Sequence, residues 1–282
     1  MLSSQVGDRF MAKTAHAFEA HSPPSWLTPL QFAAYRRDGF LLVRSVFTPT
    51  EIHSIHSAFL RLNVQSQSLT QDATIDTSRF VVRAAPDTSM HAMATHRVVW
   101  AGGTEPVLER FGKDNRLLQL ASTVLNSETM VQLINQAHFK YPGDGVAFPW
   151  HQDSKHRRQG TTLFRDLNGQ GSFIETITAV DPMTQDNGPL EVLLGSHLRG
   201  HLGDSYAKEL PQLLKDYPSR TIIMAAGDVL LLSPFTSHRS LPNLGKASRF
   251  AFLNGFALPG ASRRIYPGCG LGRFRRLDIE TT

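Results

Sequence analysis

The sequence predicts a mainly β domain, a barrel or a sandwich, carrying a helical layer on its N-terminal side. Three observations predict it. Apolar residues recur at helical spacing between cap signals in the first half of the chain. From about residue 129 the texture changes to short runs rich in Val, Ile, Leu and Phe, separated by Gly, Asn and Pro turns. No internal repeat and no linker divides the halves, so 28–258 reads as one domain, with a helical layer over 28–128 and a β core over 129–258.

The elements follow in order. Residues 1–27 read as a flexible leader, polar and closing on Ser22-Pro23-Pro24-Ser25. Thr28-Pro29 opens a helix, with threonine as N-cap and proline in the first turn, and Gly39 ends it. Phe40-Leu41-Leu42-Val43 is a short buried strand. Thr48-Pro49-Thr50-Glu51 starts a second helix with Ile52, Ile55, Phe59 and Leu62 on one face. Residues 65–95 are polar and read as a long loop, and 104–125 as helical segments. Strand-like runs then span 130–140, 173–180, 190–194, 220–224, 228–232 and 249–256. The basic stretch 259–282, with Arg263, Arg264, Arg273, Arg275 and Arg276 among glycines, reads as a tail that either folds over the site or stays mobile, mobility being favoured.

Composition narrows the function classes. The chain has 282 residues, 41% hydrophobic and 19% charged, values of a folded globular protein. The formal charge is +5. It is spread along the chain, without the dense basic stripe of a nucleic-acid binder. It fits an anionic small substrate or an ordinary surface bias. One cysteine, Cys269, excludes an internal disulfide and any cysteine-based zinc site. With no signal-peptide pattern and no bilayer-length apolar run, a cytoplasmic protein without membrane partners is expected.

The chemistry concentrates in Phe148-Pro149-Trp150-His151-Gln152-Asp153. Side chains two apart on a strand share a face, so His151 and Asp153 can aim a nitrogen and an oxygen at one point. The best third donor is His238, shortly after the apolar strand at 228–232. Two imidazoles and one carboxylate on one side of a metal leave its other positions open, as in the iron(II) oxygenase facial triad. Arg249, at the head of the next strand, could grip a dicarboxylate through its planar fork.

Four elements together carry a resemblance: Trp150-His151-Gln152-Asp153; Asp186-Asn187-Gly188-Pro189-Leu190 with Gly195-Ser196-His197; Gly227-Asp228 ahead of His238 and Ser240; and Arg249. The run Tyr35 to Val43, followed by Phe47-Thr48-Pro49-Thr50-Glu51, matches the same family's opening. The chain resembles the phytanoyl-CoA dioxygenase-like family of iron(II)/2-oxoglutarate enzymes over roughly residues 28–257. The resemblance implies a double-stranded β-helix, a jelly roll of cupin type, with the metal in its mouth. It implies His151, Asp153 and His238 as iron(II) ligands, Arg249 and Ser240 on the distal carboxylate of 2-oxoglutarate, and Phe148 lining the co-substrate pocket. Thr178 and Gln136, on strands expected to face the interior, are further co-substrate candidates. The reaction implied is hydroxylation or a related oxidation of a small metabolite, consuming O₂ and releasing succinate and CO₂. The sequence departs from the pattern at Leu194, where proline usually precedes Gly-Ser-His. Asp153 speaks against halogenation, because halogenating relatives carry a small residue there.

The segment after Asp153 is long enough for a lid, and His156, Arg157 and Arg158 could meet an anionic substrate group or form a solvated basic loop. His197 competes with His238 as distal ligand but lacks the Gly-Asp-strand lead-in. His53, His56, His91, His96, His138 and His201 show no ligand spacing. Asp228 reads as a turn residue. Two other readings stay open: a cupin-type metalloenzyme that does not use 2-oxoglutarate, and a non-catalytic metal-binding barrel.

Overall fold

The computed structural model describes residues 27–84, 93–157, 161 and 163–278. Residues 1–26 of the leader, His91 and Arg158 lie outside the described residues, and Leu27, the leader's last residue, is buried in the core. In chain order the elements are α1 (Pro29–Asp38), β1 (Phe40–Val43), α2 (Pro49–Ser66), β2 (Ala73–Ile75), β3 (Ser78–Ala84), β4 (Met93–Val99), α3 (Pro106–Gly112), α4 (Asn115–Leu125), β5 (Thr129–Lys140), β6 (Phe148–His151), α5 (Ser154–Arg157), β7 (Phe173–Ala179), β8 (Leu190–Leu193), α6 (Tyr206–Asp216), β9 (Ser219–Ile222), β10 (Val229–Leu232), β11 (His238–Ser240), β12 (Arg249–Ala257) and β13 (Arg273–Arg276).

Local chemistry sets the first helices. Thr28 and Thr48 each accept from the backbone three residues on, and Gln31 and Glu51 reach back to complete capping boxes. Gly39 ends α1 at φ 83°. A Cβ there would lie 2.5 Å from His197 Nδ1 and Thr236 Oγ1, so both conformation and space require glycine.

The described strands form two antiparallel sheets. The larger runs β1-β10-β7-β12-β5-β4-β3-β2, with β13 also paired to β5. The smaller runs β6-β11-β8-β9. This is the mostly β jelly roll expected. Strand alternation divides the larger sheet into two faces. Phe139, Phe250 and Phe252 point to the helical layer, where Phe59 of α2 meets all three rings at 5.1–6.4 Å. The other face of β12, carrying Arg249, Ala251 and Leu253, lines the space between the sheets. One end of that space is closed by Ile177, Leu190, Val192, Leu230 and Leu232. The other end is open and holds the site.

Two expectations are corrected. The segment read as a long loop and as part of a mainly helical layer contains β2, β3 and β4, which extend the larger sheet. Their inner face carries Arg79 and Arg97 because it lines a polar cavity, so the apolar alternation that marks a strand is broken. The tail, for which mobility was favoured over folding onto the site, is docked. β13 pairs residue by residue with β5, and Tyr266 and Cys269 join a core with Trp100, Phe164 and Phe173. Among the described residues no helix is long and apolar enough to cross a membrane.

Candidate metal centre and its cavity

β6 and β11 are neighbours, and their register sets His151 directly across from His238. The two imidazole rings lie 4.2 Å apart, centre to centre. Asp153 is not on the strand. It sits in the turn into α5, held by Gln152, whose buried amide donates to the carbonyls of Phe235 and Gly200 at 2.7 and 2.9 Å. The backbone N–H of Ser154 also donates to Pro234 O at 2.9 Å. The pairing expected from strand alternation is thus achieved by a clamped turn.

The result is one compact cluster. One donor atom from each of His151, Asp153 and His238 lies within 4.8 Å of the others, and among the described residues no further donor belongs to the group. Asp153 stands between the histidines, 3.6 Å from His151 Nε2 and 3.7 Å from His238 Nε2. Each Nδ1 meets a backbone carbonyl, Pro149 O at 2.8 Å and Thr236 O at 3.0 Å. A carbonyl only accepts, so each Nδ1 carries a proton and each Nε2 faces the cluster, the atom left to ligate a metal. Burial, with the His151 charge adding, pushes His238 down to about 4, so its ring is neutral at physiological pH. At Asp153 burial opposes ionisation, but the two neighbouring histidines, which favour the carboxylate, outweigh it and hold the carboxyl well below its usual range. At His151 burial lowers the pKa, but the Asp153 carboxylate outweighs it and raises the ring above its usual value; two imidazoles and one carboxylate fit a divalent transition metal with open positions.

The cluster opens on a cavity of about 510 Å³. The odd-and-even parity of each strand decides which candidates reach it. Gln136, His138 and Lys140 of β5, Arg249 of β12, Phe148 of β6 and Ser240 of β11 all do. Arg249 donates to Gly188 O at 2.6 Å and lies 3.4 Å from Ser240 Oγ. Its Nε has no partner. Thr178 does not reach the cavity. Glu175 and Ile177 of β7 face inward, so Thr178 shares the opposite face with Ile174, against the helical layer. The substrate candidates divide as well: His156 lines the rim and is exposed, whereas Arg157 is buried.

Three cavity groups escaped sequence reasoning. Lys140 donates to Ser240 Oγ and to the Leu241 carbonyl beside Arg249. Burial, helped by the Arg249 charge, lowers it to about 7. Its even spacing from Gln136 and His138 on β5 was the available signal. Glu175, buried beside Asp153, is held well above the usual carboxylate range by burial and then by the Asp153 charge. His96 and His138 flank the Phe148 ring at 6.0 and 6.1 Å. His197 is excluded from the cluster. Its Nε2 bonds to Arg36 O at 2.9 Å, beside the helical layer. Asp228 accepts from the backbone of Ser45 and Ala225 and from Arg44, as a turn residue does.

Fold and site define a jelly-roll protein with a two-histidine, one-carboxylate cluster in the mouth of its barrel. The chain belongs to the phytanoyl-CoA dioxygenase (PhyH) family, whose model matches residues 35–251. An ectoine dioxygenase of Bordetella bronchiseptica is 28% identical over 169 residues, 59% of this chain and 48% of that protein. The chain therefore spans about half the length of the curated relatives it matches. EctD from S. alaskensis with bound Fe superposes with a TM-score of 0.70 at 20% identity, covering 91% of this chain and 85% of that one. The epimerase SnoN, in complex with Fe3+, alpha ketoglutarate and nogalamycin RO, gives 0.63 at 18% identity, covering 81% and 82%. At these identities the likeness to solved structures concerns the fold.

Proposed function

We propose that this protein is an iron(II)- and 2-oxoglutarate-dependent oxygenase that hydroxylates, or otherwise oxidises, an unactivated C–H bond of a small metabolite. The observation that carries the reading is the three-donor cluster with the Arg249–Lys140–Ser240 group in the same cavity. His151, Asp153 and His238 would hold the metal, with both imidazole tautomers already set by backbone carbonyls. When bound, iron(II) with 2-oxoglutarate and O₂ supplies the oxidising power, and the co-substrate leaves as succinate and CO₂.

The chain's own residues bind, orient and exclude water. Arg249 and Lys140 offer two cations, and Ser240 a hydroxyl, to the distal carboxylate of 2-oxoglutarate. Phe148, His138 and Gln136 wall the adjacent space. Ile134, Ile177 and Leu253 keep part of the lining apolar, which limits water at the reacting end. A cupin-type enzyme without 2-oxoglutarate leaves the buried Arg249–Lys140 pair without an anion. One domain fits the nine-stranded sheet that described strands from both halves of the chain share, and a reducing, cytoplasmic setting fits the buried free thiol of Cys269.

The test is succinate formation from 2-oxoglutarate with iron(II) and ascorbate, using ectoine as the first substrate because the relatives bear its name, and then a metabolite pool. Succinate, with a product one oxygen heavier, is expected from the wild type and not from His238→Ala. Failure of the iron-loaded protein to bind 2-oxoglutarate, together with no turnover in any pool, would remove the reading.

A further inference from the structure

Filling the cavity as proposed leaves its charge unbalanced. Among the described residues its wall carries six Lys and Arg side chains against three carboxyl groups, Asp72, Asp153 and Glu175. Iron(II) and the 2-oxoglutarate dianion cancel one another, so the cationic excess persists for whatever binds third.

Two buried groups mark where that occupant docks. Arg157 is 6% exposed, and its Nε has no hydrogen-bond partner. Its carboxylate neighbour Glu175 is 3.9 Å away, beyond hydrogen-bonding reach. Phe173 covers the guanidinium at 4.2 Å, which fixes its plane. Tyr266 is 7% exposed, its ring lies 5.7 Å from the same guanidinium, and its hydroxyl also has no partner. Both side chains line the cavity. Buried donors left without partners are rare, and a ligand that accepts from both would account for the pair.

This is not the co-substrate end. Glu175 pairs across from Gly255 on β12, six residues beyond Arg249, which is about 20 Å along a strand. The distal carboxylate of 2-oxoglutarate is anchored at Arg249, whereas Arg157 lies at the cluster end of the cavity, beside Glu175 and Asp153. Nor is Tyr266 a chance visitor. Its segment is built in: a Cβ on Gly268 would lie 2.3 Å from Trp100 Cβ, and Arg264 donates to the His156 carbonyl at 2.6 Å, tying the segment to α5.

We propose that Arg157 and Tyr266 form a second anion subsite, and that the substrate is a small carboxylate-bearing molecule whose carboxylate accepts from Arg157 Nε and Tyr266 Oη. The proposal rests on the oxygenase reading for the occupant of the first anion site.

The experiment fills that first site and probes the second. Iron(II)-loaded protein, kept free of oxygen and saturated with 2-oxoglutarate, is titrated with trifluoroacetate and followed by fluorine NMR. Saturable binding is expected. Arg157→Gln should weaken it at least about tenfold, and Tyr266→Phe about fivefold. Both variants should keep the wild-type affinity for 2-oxoglutarate. Trifluoroacetate that never saturates the wild type, or binds both variants as well as it binds the wild type, overturns the subsite. Should Arg157→Gln fail to fold, Tyr266→Phe decides alone, since it removes one oxygen and keeps the packed ring. Loss of 2-oxoglutarate binding in the wild type would instead strike the oxygenase reading, and the trifluoroacetate titration would still judge the subsite.

Discussion

Lys140 carries an ammonium into the barrel, where a serine hydroxyl and a backbone carbonyl receive its protons, and Arg249 beside it makes the charge harder to keep. Burial, then Arg249, lowers it to about 7, while Asp144 pulls weakly the other way. A bound dianion favours the protonated form. Below about 7 the free protein already holds that proton, and above it the proton must be acquired on binding. Affinity for 2-oxoglutarate should therefore fall as pH rises through 7. A Kd series from about pH 6 to about pH 9 checks this: the wild type should slope and Lys140→Met should be flat. Arg249→Ala should raise the Kd about thirtyfold or more, because it removes the forked cation of a buried pair. Metal content, measured on the same sample, should not change. At this scale the legible residues were those whose spacing is local or whose motif is distinctive. His151, Asp153, His238 and Arg249 were of that kind. Lys140 and Tyr266 gain their meaning from neighbours about 100 positions away, and Glu175 from Asp153 across an intervening loop, which no local pattern encodes.

Elements whose ends carry their own chemistry were read almost to the residue. Both capping boxes and the Gly39 stop are local events among neighbours in sequence. Thr48→Ala should lose about 1 kcal/mol of stability through the missing cap. Gly39→Ala should lose more than about 1 kcal/mol, because the added carbon meets both a left-handed φ and the side chains of His197 and Thr236. Urea unfolding of the two variants gives the order; equal midpoints would contradict it. The strands β2 to β4 were missed for a functional reason. A face that lines a polar cavity cannot show the apolar alternation by which a half-buried strand is recognised. The tail was missed for a different reason. Its strand is basic and short, and its order comes from pairing with β5 and from a few aromatic contacts.

The whole molecule joins two sheets and a helical layer around a site assembled from both sheets. His151 and His238 come from the smaller sheet, Arg249 and Lys140 from the larger, so a metal bound at the cluster is linked to the stability of the smaller sheet and its α5 turn. Manganese(II), which resists oxidation, should stabilise the fold by about 2.7 kcal/mol at a hundredfold excess over its Kd. A chelator should reverse the shift in the melting temperature, and Asp153→Ala should show no shift at all. An unchanged shift in that variant would mean the ion binds elsewhere.

The sequence by itself determined the fold class, the caps of the first two helices and the identity of the three cluster residues, because each rests on periodicity, local hydrogen bonding or a compact motif. Only the tertiary structure decided that Thr178 faces the helices, that the polar stretch before residue 100 is sheet, and that the basic C-terminal segment docks on β5 and lines the cavity. Those outcomes depend on strand parity against a partner and on contacts between distant residues, and both exist only once the sheets have paired.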